Sequence, residues 1–229
     1  MQIKKETKNL DRKKIIILIP YWSSYGTKEY AFNRIKKFIP KEIGYIYYYF
    51  SRDLINDNPH LTKRYFDKFL SQLYEDINIF EKDNKEVNIY AQSLGGLFAM
   101  IIADRIKIKR IMLICPGDNL AESFWGGLAT KDIKEKMEKN GMTLNLLKDV
   151  WKKISPDFYF KKKALSTNFC IKLSTRDNLI PYKNGRNLID LLKKKKVNFT
   201  LCETFLSHPL ILLKECIFPK KSIDFLIKS

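Results

Sequence analysis

The stretch that decides the fold reads Val87-Asn88-Ile89-Tyr90-Ala91-Gln92-Ser93-Leu94-Gly95-Gly96-Leu97-Phe98-Ala99-Met100. Its first residues are β-branched or aromatic, as in a buried strand, and its last residues form an apolar run that suits a helix. Between them, Ser93 has the small residues Ala91 and Gly95 two positions away on either side. A sharp turn forces the backbone into a cramped conformation that small neighbours accommodate. The stretch therefore predicts a strand, a tight turn with one hydroxyl at its apex, and a helix.

On both sides of this stretch, apolar runs of strand length alternate with segments that carry apolar residues at helical spacing. Residues 15–19 are all apolar, which suits a strand covered by helices on both faces. Residues 28–39 and 61–80 have the spacing of amphipathic helices. The predicted strands cover residues 15–19, 43–50, 87–91, 110–115, 169–173 and 197–203. This alternation predicts an α/β fold: a doubly wound, mostly parallel sheet of about six strands with helices on both faces.

The same pattern divides the chain into a core and one insertion. Between residues 119 and 160 the strand signal stops, and two helix-like stretches, 131–139 and 144–153, are separated by Asn140-Gly141. An insertion of this length with its own secondary structure is more typical of a lid than of a loose loop. We therefore predict three parts: a basic N-terminal tail at 1–14, a core formed by 15–118 and 161–229, and a helical lid at 119–160.

The sequence is strongly basic. Its 43 lysines and arginines exceed its 25 acidic residues, which gives a formal net charge of +18. Such a charge predicts a weak attraction to anionic surfaces. The lysine runs at 161–163 and 193–196 lie next to predicted strands or at a helix end, where solvated lysines are common. No nucleic-acid-binding motif accompanies them, so we predict no specific nucleic-acid partner.

Cysteine usage and hydropathy both favour a cytoplasmic protein. The chain has four cysteines, Cys115, Cys170, Cys202 and Cys216. They lack the spacing of metal ligands, so we expect buried, reduced thiols. The apolar run at 15–19 is too short for a signal sequence or a membrane span, and it ends at Pro20. We therefore expect no targeting segment and no transmembrane segment.

Ser93 would need partners to act as a nucleophile. A serine hydroxyl requires a general base within hydrogen-bond reach and a third group that orients this base. The sequence offers two histidines, His60 and His208. His60 follows Asp57-Asn58-Pro59, a turn-like context typical of a helix cap or a surface histidine. His208 follows the last predicted strand, downstream of Ser93, and is the better candidate base.

Residues 87–100 resemble the nucleophile elbow of the α/β-hydrolase superfamily, Gly-x-Ser-x-Gly, with Ala91 in place of the first glycine. Members of this superfamily carry their catalytic residues in the order serine, acid, histidine. The resemblance therefore implies Ser93 as nucleophile and His208 as base. It implies Asp177 as the acid, because Asp177 lies in the loop after a predicted strand and is followed shortly by apolar residues and a proline. Asp118 is the alternative acid, since some members place it after the earlier strand at 110–115.

The resemblance also implies an oxyanion hole made of backbone N–H groups. One group belongs to the residue after the nucleophile, Leu94. Alignment with the superfamily's His-Gly-x loop puts Pro20 at the histidine and leaves Tyr21 or Trp22 as the second donor, although the His-Gly pair itself is missing. Each such donor typically contributes about 3 kcal/mol of transition-state stabilisation.

Aromatic residues give a first indication of the substrate. Tyr21, Trp22, Phe124 and Trp125 would line an acyl pocket between sheet and lid, or alternatively belong to the core or fasten the lid. The sequence has no glycine-rich phosphate-binding motif and no metal-ligand cluster, so we expect neither a cofactor nor a metal.

These residues together predict a serine hydrolase of the esterase, thioesterase or lipase type. It would cleave a small-molecule carboxylic ester or thioester through Ser93, His208 and Asp177, with an acyl-enzyme intermediate. Two alternatives stay open. One is a catalytically silent α/β-hydrolase-like domain that binds a ligand or an anionic surface through its lysines, since a fold does not fix a function. The other is an acyltransferase or a C–C bond hydrolase that uses the same triad.

Overall fold

The computed structural model describes residues 3–23, 25–159 and 166–228. Within them, seven strands form one sheet: β1 (Ile3–Lys8), β2 (Lys14–Ile19), β3 (Gly44–Phe50), β4 (Glu86–Gln92), β5 (Arg110–Ile114), β6 (Asn168–Ser174) and β7 (Phe199–Thr204). The strand order is β1-β3-β2-β4-β5-β6-β7, and all neighbouring pairs are parallel except β1 with β3. The prediction of a doubly wound, mostly parallel sheet is therefore confirmed. The lysine run at 161–163 and the predicted boundary between residues 160 and 161 lie outside the described residues.

Helices cover both faces of this sheet. They are α1 (Tyr25–Ile35), α2 (Pro59–Lys82), α3 (Leu94–Arg105), α4 (Leu120–Gly126), α5 (Lys131–Lys139), α6 (Leu144–Trp151), α7 (Pro156–Tyr159), α8 (Tyr182–Lys194), α9 (His208–Ile217) and α10 (Lys220–Ile227). Successive residues of a strand point to opposite faces. Ile15 and Ile17 of β2 accordingly join a core with residues of α2, α3 and α8, whereas Ile16 and Leu18 join one with residues of α1, α9 and α10. The fully apolar run at 15–19 reflects this double burial.

The N-terminal residues form an edge strand, so the predicted tail at 1–14 is wrong for residues 3–8. β1 pairs antiparallel with β3, from Ile3 opposite Phe50 to Lys8 opposite Tyr45. Lys5 Nζ also lies 2.7 Å from Asp76 Oδ1. The sequence of β1 contains a single apolar residue, so no hydrophobic pattern marks it as a strand. Backbone pairing with β3 holds it in place, and its charges protect the sheet edge from further pairing.

The segment between β5 and β6 is helical, as the sequence predicts, and contains α4, α5, α6 and α7. Its anchor on the core is Trp151, which is fully buried and donates a hydrogen bond from Nε1 to the carbonyl of Pro59 at 2.9 Å. Phe124 packs edge-on against Trp151, with ring centroids 5.1 Å apart. The hydrogen bond fixes the helical segment against α2, and the ring contact joins α4 to α6. Its function as a lid stays a prediction.

Candidate active site

Ser93 occupies the strained turn between β4 and α3. Its backbone angles are φ 51° and ψ −119°, a region that a non-glycine residue rarely adopts. The Ser93 N–H donates to the carbonyl of Ile114 at 2.7 Å, which fixes the turn to the end of β5. A Cβ atom on Gly95 would lie 2.4 Å from the Ile19 carbonyl oxygen. Glycine is therefore required at position 95, because α3 begins directly against the end of β2.

His208 and Asp177 form a buried hydrogen-bonded pair. His208 is the first residue of α9, and its Nδ1 lies 2.6 Å from Asp177 Oδ2. The other oxygen, Asp177 Oδ1, accepts hydrogen bonds from the N–H groups of Leu179 and Ile180 at 3.0 and 2.9 Å. Both oxygens of this carboxylate are therefore engaged, and the imidazole is held by Nδ1 with Nε2 left for a second partner.

Ser93 and His208 line one cavity of about 270 Å³. Most of the other residues that line it are apolar or aromatic: Tyr21, Trp22, Ile55, Leu94, Leu97, Leu120, Phe124, Ala129, Leu179, Ile180, Pro209 and Leu212. No lysine, arginine or carboxylate is among the described residues that line it. An apolar cavity with a few convergent polar groups is the usual form of a small-molecule site. This one suits an uncharged, apolar group next to the Ser93 hydroxyl.

The loop with Tyr21 and Trp22 is fastened to the end of β3. Trp22 Nε1 donates to the carbonyl of Arg52 at 2.7 Å, and Lys28 Nζ donates to the carbonyl of Phe50 at 2.6 Å. Lys28 is completely buried, and burial lowers its pKa to about 8. Tyr21 and Trp22 both reach the cavity that contains Ser93 and Leu94. The structure thus brings every predicted oxyanion residue to this cavity without selecting one of the two loop donors.

Other predicted residues are placed elsewhere. Trp125 is half-buried and does not line the cavity; Lys134 Nζ lies 5.3 Å from its ring centroid. Of the predicted aromatic pair, only Phe124 therefore reaches the cavity. His60 is exposed at the start of α2, and its backbone N–H donates a hydrogen bond to Asn58 Oδ1 at 3.1 Å. His60 matches the predicted surface histidine.

Cys115 also lies at the site, although it is not among the predicted site residues. Its Sγ, a carboxylate oxygen of Asp177 and a ring nitrogen of His208 all lie within 4.8 Å of one another. Burial, followed by the nearby Asp177 charge, raises the pKa of the Cys115 thiol. A protonated thiol is a poor metal ligand, and Asp177 already binds Nδ1. Cys115 and Asp177 therefore both lie next to the His208 imidazole. The signal that could have revealed Cys115 is its position at the end of β5.

The prediction that all four thiols are buried is wrong for two of them. Cys115 and Cys216 are buried, but Cys170 is half-buried and Cys202 is exposed. Cys202 lies on β7, the last strand of the sheet, which has a paired neighbour only on the β6 side. An edge strand exposes more of its side chains than its apolar sequence suggests.

Asp118, the alternative acid, is not the partner of His208. It lies outside the residues that line the cavity, and its buried Oδ1 atom finds no hydrogen-bond partner among the described residues. Burial, together with the nearby Asp157 charge, raises the pKa of Asp118 to about 7. The carboxyl group is therefore held partly protonated in the folded protein near neutral pH.

The raised pKa of Asp118 makes the folded protein less stable as pH rises. The folded state keeps a proton that the unfolded state loses near pH 4, so stability falls as pH increases toward about 7. We expect Asp118→Asn to remove this loss and to increase the free energy of unfolding at pH 8 by about 2 kcal/mol. Urea denaturation at pH 5 and pH 8 measures the effect, with exposed Asp57→Asn as control. An identical pH dependence in wild type and Asp118→Asn would contradict it.

No protein-family model matches the sequence, and no curated protein sequence matches it. Among solved structures, the chain is similar to Pyrococcus horikoshii acylaminoacyl peptidase, with a TM-score of 0.66 and 14% identity over 99% of this chain and 40% of that chain. It is similar to esterase B from Lactobacillus rhamnosis, with a TM-score of 0.59 and 12% identity over 98% of this chain and 87% of that chain. It is also similar to the type II thioesterase BorB, with a TM-score of 0.60 and 12% identity over 97% of this chain and 94% of that chain. With its strand order and its strained serine turn, the chain has the α/β-hydrolase fold.

Proposed function

We propose that this protein is a serine hydrolase that cleaves a carboxylic ester or thioester. The observation that carries the proposal is that a strained serine, Ser93, and a carboxylate-bound histidine, His208, line the same apolar cavity. A nucleophile, a general base and an orienting acid are the three groups that acyl transfer requires. Three solved structures with similar folds are named as an esterase, a thioesterase and a peptidase, which supports hydrolysis of an acyl compound.

In the first half of the reaction, Ser93 Oγ attacks the acyl carbonyl carbon while His208 Nε2 takes the hydroxyl proton. Asp177, bound to Nδ1, stabilises the imidazolium that forms. The negative charge that develops on the carbonyl oxygen would be stabilised by the N–H of Leu94 and an N–H of Tyr21 or Trp22. When the tetrahedral intermediate collapses, His208 returns the proton to the leaving alcohol or thiol, and the acyl group stays on Ser93.

In the second half, a water molecule replaces the leaving group. His208 takes a proton from this water, which attacks the acyl-enzyme carbonyl, and the proton returns to Ser93 Oγ as the acid is released. The apolar lining contributed by Leu97, Leu120 and Phe124 favours an uncharged acyl chain in the cavity. An acyltransferase would share every step except that an alcohol or thiol replaces the water. Product analysis with and without an added alcohol separates these two activities.

We also propose a cytoplasmic location, supported by four cysteines that are all free in the structure. None of the helices in the described ranges is both long and apolar enough to cross a bilayer.

A fluorophosphonate probe tests the assignment of the nucleophile. We expect covalent labelling of the wild-type protein at Ser93, identified by peptide mass spectrometry, because only an activated serine reacts with such a probe. Ser93→Ala should abolish labelling. Ser123→Ala is the matched control, since Ser123 lines the same cavity but receives a hydrogen bond from Asn184 Nδ2 at 2.9 Å. Labelling that persists in Ser93→Ala would refute the assignment.

A further inference from the structure

Four large apolar side chains are exposed in and around α9. Their exposed fractions are 76% for Phe205, 50% for Leu210, 46% for Leu213 and 69% for Phe218. Leu210 and Leu213 are three residues apart on the helix, so they share its outward face. The described part of the chain has ten exposed large apolar residues, and four of them lie between residues 205 and 218. We call these four residues the α9 surface, and their concentration there indicates an interaction site.

Lysines lie at the Phe218 end of the α9 surface. Lys214, Lys220 and Lys221 line, together with Phe218, a groove of about 590 Å³ between the β6 and β7 side of the sheet and the α9 and α10 helices. Among the described residues that line this groove, the only acid is Glu215. Glu215 is buried, and its Oε1 lies 2.5 Å from Lys172 Nζ. The negative charge of Glu215 is therefore compensated by Lys172. The three lysines at the rim of the groove present positive charge to the solvent.

We propose that the α9 surface docks onto a lipid bilayer that contains anionic headgroups. The exposed aromatic and leucine side chains enter the headgroup and acyl boundary, while the three lysines contact the phosphates of the lipids. Apolar side chains next to lysines are the composition of proteins that lie on membranes without crossing them. The overall charge of +18 attracts the protein to such a surface from a distance.

A second copy of the chain fits the same surface less well. A two-fold dimer brings the same patch of both subunits together. Lys214, Lys220 and Lys221 of one copy would then face the same lysines of the other. Lys220 Nζ lies 3.9 Å from Asp224 Oδ2, but no ion pair within the described residues involves Lys214 or Lys221. An anionic partner matches this surface, and a copy of the chain does not.

Docking at α9 would also bring lipid to the catalytic cavity. Pro209, in the first turn of α9, is exposed and lines the cavity that contains Ser93 and His208. A lipid ester in the bilayer would then reach the cavity along this helix. This consequence rests on the proposed hydrolase function, whereas membrane binding itself does not.

Vesicle flotation tests the docking proposal. The full chain, carrying Ser93→Ala so that turnover has no influence, is mixed with vesicles of phosphatidylcholine alone or of phosphatidylcholine with phosphatidylglycerol. We expect binding only to the vesicles that contain phosphatidylglycerol, and release by added salt. Replacing Lys214, Lys220 and Lys221 together by glutamine should weaken binding about 100-fold, since one lysine near an anionic surface contributes about fivefold.

The matched control removes the same charge from the other face of the sheet. Lys68, Lys82 and Lys107 are exposed on or next to α2 and α3, and their replacement by glutamine should leave most of the binding intact. Leu213→Ser should weaken binding several-fold, whereas Ile79→Ser, which changes an exposed residue of α2, should not. Thermal melting checks that every variant remains folded.

Three outcomes would overturn the docking proposal. The first is no binding of the full chain to phosphatidylglycerol vesicles. The second is an equal loss of binding in both triple lysine variants, which would show that net charge alone attracts the protein. The third is a dimer in light scattering that Leu213→Ser dissociates while vesicle binding is absent, which would assign the α9 surface to a second copy. None of these depends on catalysis, so failure of the hydrolase proposal is recognised separately by the probe experiment.

Discussion

Replacement of His208 by glutamine should lower kcat by about 10⁶-fold toward any ester that the wild type cleaves. Ser93 Oγ would lose the base that removes its proton, and glutamine at this position cannot carry that proton. Ser93→Ala should have an effect of the same size. The double variant should be no slower than either single variant, because a nucleophile and its base act as one unit. Steady-state kinetics with p-nitrophenyl esters and acyl thioesters of graded chain length measures all three.

The chain offers a matched control for this experiment, because it contains one other histidine. His60 is exposed at the start of α2, and His60→Gln should leave kcat unchanged. If losses in the double variant multiplied, Ser93 and His208 would be acting independently, and the proposed mechanism would be wrong. A comparable loss in His60→Gln would equally contradict it.

Asp177→Asn should reduce kcat by about 10⁴-fold without unfolding the protein. The N–H groups of Leu179 and Ile180 both donate to Asp177 Oδ1, so the amide oxygen of asparagine must take this position. The amide NH₂ then faces Nδ1 of His208, which must become a hydrogen-bond acceptor. The ring proton therefore moves to Nε2, the atom that has to accept the proton of Ser93.

Asp118→Asn is the matched control for the acid, since Asp118 is also buried and also follows a strand. It should keep kcat within a few-fold of the wild type, because Asp118 neither contacts His208 nor lines the cavity. The pH dependence of kcat gives a second readout for Asp177→Asn, because the altered tautomer changes the protonation step itself. A severe loss in Asp118→Asn together with a mild loss in Asp177→Asn would exchange the roles of the two residues.

The strands and helices of the core could be predicted from the sequence because their residues are buried in regular patterns. The run at 15–19 is apolar at every position because β2 is covered on both faces. The edge strand β1 could not be predicted, because its six residues are mostly charged and it exists through its pairing with β3. Exposed Cys202 on the opposite edge has the same explanation: edge position is a property of strand order, which local sequence does not contain.

The predicted site divides in the same way. Ser93 could be selected because the small residues around it are a local requirement of the turn, and His208 because the chain has few histidines. The sequence could not predict which aromatic side chains reach the cavity. Phe124 and Trp125 are adjacent on one short helix, and the direction of each side chain decides that Phe124 lines the cavity and Trp125 does not. The position of Cys115 beside Asp177 and His208 could not be predicted from its own strand, because both residues lie more than sixty positions away in the sequence.

By itself, the sequence determined the alternation of strands and helices, the turn at Ser93 and the chain order of serine, acid and histidine, because each depends on local burial patterns or on residue identity. Only the tertiary structure decided that Asp177 rather than Asp118 meets His208, that β1 forms one sheet edge, and that the exposed Phe218 shares a groove with Lys214, Lys220 and Lys221. These features depend on which strand exits and helix faces become neighbours in space. Such proximity arises from the packing of the whole sheet, and no segment of the chain encodes it alone.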